Sequence, residues 1–241
     1  MSSSPISDDG GWAASADAWI KDMGEAGDYS RRFVLDAPIA ARVRGRGYRN
    51  ALDVGCGEGR FCRMLQAWGV AAIGLDPTEA LLAQARTLDP EGDYRAGRAE
   101  ALPFPEGAFD LVVSYLSLID IPDVERAVQE MVRVLRPGGT LLIANLNGFA
   151  TAGRWVKGAD GRRLHFALDR YLERRPERAS WRGIDIINWH RPLSAYMRLF
   201  LSAGLLLRHF DEPAPTDDST RADDYRRVPW HLVMEWEKPT G

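Results

Sequence analysis

The chain has 241 residues, 45% hydrophobic and 27% charged, which suits one large α/β domain or two small ones. Its 31 lysines and arginines against 34 acids leave a net charge of −3, which argues against non-specific nucleic-acid binding as the main task. No apolar run reaches the roughly 18 residues of a membrane span. The opening MSSSPISDDGG has neither a basic nor an apolar leader region, and Cys56 and Cys62 form no paired framework, so a reducing cytoplasm is the expected location.

Residues 1–47 read as a helical N-terminal segment that covers the core. From about residue 48 short apolar runs alternate with helical patterns. ALDVG reads as a buried strand, and RFCRMLQAWG places Phe61, Met64, Leu65 and Trp68 on one helix face with Gly69 as its stop. AAIGLD is a second strand, PTEALLAQARTL a helix entered at Thr78, YRAGRA a weak third strand and FDLVVSYLS a strong fourth. DVERAVQEMVRVLRPGG is the clearest helix and TLLIANL the fifth strand. Strands that are apolar throughout, separated by helices, imply a parallel sheet covered on both faces.

After residue 146 the rhythm breaks. Residues 147–191 are far more than one crossover needs and read as an insertion that lids the site, with LDRYLERRPERAS as a solvated helix. Residues 192–241 complete the sheet: SAYMRLFLSAG is a helix, LLLRHFDEP and VPWHLVMEWE are strands, and the polar stretch APTDDSTRADDYRR is a loop.

Gly55, Gly57 and Gly59 follow the first strand and open a helix, a turn that lets backbone N–H groups approach an anion or a polar ligand. The dinucleotide fingerprint needs Gly or Ala where Arg60 stands, so a pyrophosphate is the less natural guest. Asp76 ends the second strand, 19 residues after Gly57, a spacing that suits a carboxylate accepting from both ribose hydroxyls.

LDVGCGEGR, GLDPT, AEALPFPEGAFDLVVSYLSL and MVRVLRPGGTLLIANL resemble, in order and spacing over residues 50–146, the successive motifs of class I S-adenosylmethionine-dependent methyltransferases. HRPLSAYMRLFLSAGLLLRHFDEP is similar to the late helix and strand of the small-molecule members. The resemblance implies a Rossmann-like, doubly wound α/β fold with a seven-stranded sheet whose last strand is antiparallel. It implies S-adenosyl-L-methionine as cofactor, with Gly55, Cys56 and Gly57 along its methionine and ribose part, Arg60 beside that turn and Asp76 on the ribose. Pro77 and Thr78 then lie beside the adenine, Ala99 contacts it through the backbone, and Ser114, Tyr115 and Leu116 lie near the sulfonium. The family's usual Asp before the AE step is replaced by Arg98, leaving Glu100 or a backbone carbonyl to take over that contact.

The expected reaction is methyl transfer to a small aromatic or apolar metabolite. No Asn-Pro dipeptide follows the fourth strand, as amino-directed nucleic-acid enzymes require, and Ser114 or Ser117 stands where a magnesium-dependent enzyme needs Asp, so neither nucleic acid nor metal is expected. Five of the eight tryptophans lie in the N-terminal segment and the insertion; Trp19, Trp155 and Trp189 are the candidate substrate walls, with lid packing as the alternative. Among four histidines, His190 sits where the insertion re-enters the core and is the candidate base, with Tyr29 opposite as partner; Tyr29 and Arg32 are alternatively cofactor contacts. His209 and His231, in the last two strands, are expected to lie away from the chemistry. Asn145 and Asn147 line the pocket or cap the strand end. Two rival readings remain. Nine basic residues against five acids in 147–190 allow an RNA-facing surface, and a cofactor-binding module without catalysis is the other. The expected assembly is a monomer or homodimer without membrane association.

Overall fold

Seven strands form one sheet in the computed structural model, which describes residues 9–240, and those at its centre are near-continuous apolar runs. Helix α1 (Trp12–Met23), a π-helical turn (Arg31–Leu35) and α2 (Asp36–Val43) precede the sheet. Then come β1 (Asn50–Val54), α3 (Arg60–Ala67), β2 (Ala71–Asp76), α4 (Glu79–Leu88), β3 (Asp93–Ala96), β4 (Phe109–Tyr115), α5 (Val124–Val134) and β5 (Leu135–Leu146). The insertion holds α6 (Gly148–Ala152), β6 (Gly153–Lys157), β7 (Arg163–Leu168), β8 (Arg175–Trp181) and β9 (Ile184–His190). Helix α7 (Leu193–Ser202), β10 (Leu206–Asp211), α8 (Thr220–Arg227) and β11 (His231–Glu237) finish the fold.

The sheet order is β10-β11-β5-β4-β1-β2-β3, with β11 antiparallel between β5 and β10. One apolar cluster packs α5 and α7 against one face, and a second packs α2, α3 and α4 against the other. Trp236 of β11 is fully buried and lies 5.1 Å from the ring of Phe200 on α7. Asp123 caps α5, its carboxylate accepting from the Arg126 N–H at 3.0 Å. Two segments differ from expectation. The region read as a solvated helix is strand β8 and the turn before it: the insertion is two antiparallel hairpins, β6–β7 and β8–β9. Within β8, Arg178 and Arg175 pair across or along the strand with Asp185 and Glu177, so alternation of charge serves the hairpin rather than a helix face. The polar stretch near residue 220 holds α8, whose cap is Ser219 accepting from the Ala222 N–H at 3.2 Å.

The N-terminal helix and the second hairpin clamp together over the carboxyl edge of the sheet. Ser15 exchanges hydrogen bonds with the backbone of Asp185, the Ile187 N–H donates to Gly10, and the Trp189 N–H donates to Ile119 in the loop after β4. Below this roof, Gly55 (φ +78°) turns the chain out of β1 so tightly that an added Cβ would stand 2.3 Å from Cβ of Ser117. Gly55→Ala is therefore expected to cost about 2 kcal/mol or more of unfolding free energy, from a left-handed backbone plus the clash, measured by denaturant titration.

Candidate active site

A cavity of about 680 Å³ opens between the carboxyl edge of the sheet and the roof. Its floor is the turn after β1. The N–H groups of Gly55 and Cys56 both donate to the carbonyl of Leu75, at 2.7 and 3.1 Å, so the ends of β1 and β2 are locked together. The Asp76 carboxylate accepts from the Gly57 N–H at 3.0 Å and the Thr78 N–H at 2.8 Å. Gly57 faces open space, its nearest neighbour for an added Cβ being the indole nitrogen of Trp19 at 4.0 Å. Cys56, Arg60, Pro77, Ala99, Glu100 and Tyr115 complete the floor and one wall.

Ser114 does not reach the cavity. It is fully buried and its hydroxyl bonds that of Ser117 at 2.7 Å; Ser117 is the serine that lines the space. Arg60 lines the cavity, but its guanidinium is spent on Asp36 and on the carbonyl of Ala26. The Tyr115 hydroxyl donates to the same Asp36 at 2.8 Å. Floor, fourth strand and N-terminal helices thus share one carboxylate. Leu116, next along, holds φ +59°, a conformation that a leucine keeps only where its surroundings impose it.

The roof contributes tryptophans. Trp19 and Trp189 line the cavity, joined by Trp12 and Trp181; Trp12 and Trp19 meet edge to face at 5.1 Å. Trp155 does not. It lies on the outer hairpin, against Phe166 at 5.3 Å and under the guanidinium of Arg227 at 4.6 Å.

Neither proposed catalytic residue faces the cavity. His190 is fully buried at the end of β9. Its Nε2 lies 2.8 Å from the Tyr171 carbonyl and so carries the proton, while its Nδ1 accepts from the Thr151 hydroxyl at 2.6 Å. Both ring nitrogens are engaged, and burial lowers the imidazole's proton affinity. His190 ties β9 to α6 and to the loop after β7, and it stands outside the cavity where the base was expected. The Tyr29 hydroxyl donates to Asp217 at 2.7 Å, and its ring packs on Phe33 and Tyr225, outside the cavity. Arg32 lies over the ring of Phe33; its neighbour Arg31 faces the cavity instead, 4.9 Å from the Trp19 ring and bonded to Asp28 at 3.0 Å. The π-helical turn widens the coil there and changes which side chain points inward.

Several lining residues were missed. His231 opens the last strand, and an antiparallel strand begins where its parallel neighbours end, so it reaches the cavity edge. Its Nδ1 has no partner, and burial holds its pKa down at about 4, so the imidazole is neutral at pH 7. Asp53, an acid inside the apolar run of β1, leaves Oδ1 unpartnered, and burial pushes its pKa up to about 7. Asp120, in the loop after β4, accepts from Nδ2 of Asn188 at 2.6 Å, and burial pushes it up to about 8. Asn147 proves to be a cap, accepting from the Phe149 N–H at 3.2 Å and donating to Glu212. No three metal-ligating side chains converge among the described residues.

A methyltransferase-domain family model matches residues 52–143. Phosphatidylethanolamine N-methyltransferase of Cereibacter sphaeroides is 33% identical over 172 residues, which is 68% of this chain and 74% of that protein. The chain belongs to the S-adenosylmethionine-dependent methyltransferases. A solved member from Mesorhizobium loti is 28% identical with a TM-score of 0.76, over 89% of this chain and 100% of that one. Malonyl-[acyl-carrier protein] O-methyltransferase of Serratia marcescens is 34% identical over 125 residues, covering 50% of this chain. The chain spans about half the length of that relative and of others like it. A [4+2]-cyclase, SpnF, shares the fold at 21% identity and a TM-score of 0.57, over 86% of this chain and 81% of that one. This methyltransferase's cofactor is S-adenosylmethionine, and the floor fits it: an uncluttered turn at Gly57 and the orphaned Asp53 oxygen are what a polyhydroxylated, cationic molecule needs.

The two elevated carboxyls have a consequence for stability. Asp53 and Asp120 are held protonated in the folded chain at pH values where the unfolded chain, with carboxyls near 3.8, has released those protons. Their contribution is complete below about pH 4 and is lost as pH rises to between 7 and 8. The melting temperature of the ligand-free protein is expected to fall across that window, and Asp120→Asn to flatten part of the slope, as read by thermal melts at stepped pH.

Proposed function

We propose that this chain transfers a methyl group from S-adenosylmethionine to a small organic molecule held under the tryptophan roof. The observation that carries the reading is that the glycine turn with Asp76 and the four tryptophans face one cavity, of the size that holds small ligands. Gly55, Cys56 and Gly57 with Asp53 would hold the methionine end, Asp76 the ribose, and Pro77, Thr78 and Ala99 the adenine. The bound cofactor supplies an electrophilic methyl on sulfur. The chain's part is to place the acceptor in line and keep it there, and good placement alone is worth roughly 7–11 kcal/mol. Trp12, Trp19, Trp181 and Trp189 exclude water and offer faces to a planar or cationic acceptor. Neutral His231 offers an unpartnered nitrogen on the β11 side.

The relatives' names divide between N- and O-methyl transfer, so kinship leaves the acceptor atom open. The ionic surroundings of the insertion weigh against an RNA substrate. Six of its basic residues pair with acids: Arg163 with Asp224, Arg170 with Glu173, Arg174 with Glu125, Arg175 with Glu177, Arg178 with Asp185 and Arg182 with Asp22. A surface so neutralised has little charge left for phosphates. No helix among the described residues is long and apolar enough to cross a membrane.

Two measurements test the proposal. Calorimetry should show S-adenosylhomocysteine binding that Asp76→Ala weakens about tenfold or more, since a lost charged hydrogen-bond acceptor costs roughly 1.5–3 kcal/mol. Label from methyl-tritiated S-adenosylmethionine, incubated with a cell extract, should enter the low-molecular-weight organic fraction; label in RNA would overturn the small-molecule reading. His190→Ala should lose about 1–3 kcal/mol of stability, having orphaned two buried partners, yet keep cofactor affinity within a few-fold by the same calorimetry.

A further inference from the structure

The charges around the cavity do not balance. Arg31 is paired with Asp28, Arg60 with Asp36, and Arg98 with Glu100. Three buried or half-buried carboxyls that line the space, Asp53, Asp76 and Asp120, have no ion-pair partner among the described residues. Carboxyls withdrawn from water without a counter-charge cost the fold stability, and such an arrangement persists where a cationic ligand completes it. S-adenosylmethionine carries two cationic centres, a sulfonium and an ammonium, and one carboxylate. Asp53 and Asp76 stand at the glycine turn, where that molecule belongs. Asp120 stands elsewhere, on the loop that follows β4, and it leans on the roof.

Asn188 of β9 donates to its Oδ1 at 2.6 Å, and Trp12 of α1 lines the same chamber. Asn188 and Trp12 both belong to the roof, and neither supplies a counter-charge for the ionised carboxyl. The flanking residues Ile119, Ile121 and Pro122 are apolar and line the same wall. Asp120 is thus an oriented carboxylate in an apolar, tryptophan-walled chamber.

From this placement we infer that the methyl acceptor is an organic amine, and that Asp120, oriented by Asn188, binds its ammonium group beneath Trp12. The inference rests on the methyl-transfer reading above. Aromatic faces and a carboxylate together select a cation over a neutral or anionic molecule of the same shape. Binding the ammonium ionises Asp120, whose own proton leaves to solvent; the amine's nitrogen must then lose one proton before it offers a lone pair, and that proton passes from nitrogen to the Asp120 carboxylate. An ordinary carboxylate is a poor acceptor from an alkylammonium, by a factor of about a million; burial raises the proton affinity of Asp120 and narrows that gap. Asp76 and Arg31 are the charged groups that act on Asp120, the first raising its proton affinity and the second lowering it.

The test uses the full chain saturated with S-adenosylhomocysteine at pH 7.5, with tryptamine and its neutral isostere tryptophol as probes, followed by calorimetry and tryptophan fluorescence. Tryptamine should bind about tenfold or more tightly than tryptophol, as a charged hydrogen bond predicts. Asp120→Asn should bring the two within about twofold while S-adenosylhomocysteine affinity stays unchanged; Asn188→Ala should reduce the preference in the same direction if the first variant does not fold. Equal binding of the two probes in the wild type, tighter binding of tryptophol, or no binding of tryptamine at millimolar concentration overturns the inference and leaves the methyl-transfer reading standing. Failure of S-adenosylhomocysteine to bind overturns both.

Discussion

The carboxylate of Asp76 sets the shape of everything above it. By accepting from Gly57 on one turn and Thr78 on the next, it fixes the two strand ends that form the cavity floor. It can do so only because Gly55 and Gly57 adopt positive φ and bring N–H groups within reach. Burial favours the protonated acid, and two backbone donors work against that tendency. The floor is then joined to the N-terminal helices by a second carboxylate. Asp36 receives Arg60 from the turn and Tyr115 from β4, so helix α2 cannot shift without disturbing both. Two acids, one in the sheet and one in the N-terminal helices, thus hold the ligand-facing surfaces at a fixed spacing.

The cofactor half of this arrangement was legible in the sequence because local chemistry dictates it. A glycine-rich turn after an apolar strand and an acid at the end of the next strand lie close in sequence, and parallel pairing of β1 with β2 brings them together with no other freedom. Ser114 shows the limit of that reasoning. Along β4 alternate side chains face opposite sides, and the β-turn that follows, not the strand, delivers Ser117 to the cavity. The roof was far less legible. Its residues come from helix α1 and hairpin β8–β9, separated by more than 150 positions, and nothing local says which faces which. The insertion's arginines and glutamates fit a helical spacing as well as a strand with cross-strand ion pairs, and tertiary docking chose the strand.

His190 illustrates how a plausible catalytic position becomes a structural one. At the junction of insertion and core a side chain must satisfy the backbone carbonyl of Tyr171 and the hydroxyl of Thr151 together, and imidazole alone among neutral side chains pairs a donor and an acceptor on a rigid ring of that size. The ring then holds the last strand of the lid against α6, which in turn lets the Trp189 N–H reach Ile119. Its function is to fix the roof's height. The histidine that does reach the cavity is His231, because the one antiparallel strand enters the sheet from the edge where the others leave it, which periodicity along the strand alone does not show.

Chemistry on this fold is decided by the roof. The fold itself does not fix the reaction, since a [4+2]-cyclase shares it. Above Tyr115 this chain places four tryptophans, an arginine already matched by Asp28, and a carboxyl with no ion-pair partner among the described residues. Filling that chamber with apolar side chains would stabilise the empty fold, since Asp120 and Asp53 are retained against the cost of desolvation. Ligand-binding sites commonly keep such local instability, because the groups that best receive a charged molecule are poorly solvated without it. The unpaired carboxyls are therefore the most informative feature of the cavity: a cation that ionises them sets the sign of what the chamber holds, and the aromatic walls set its breadth.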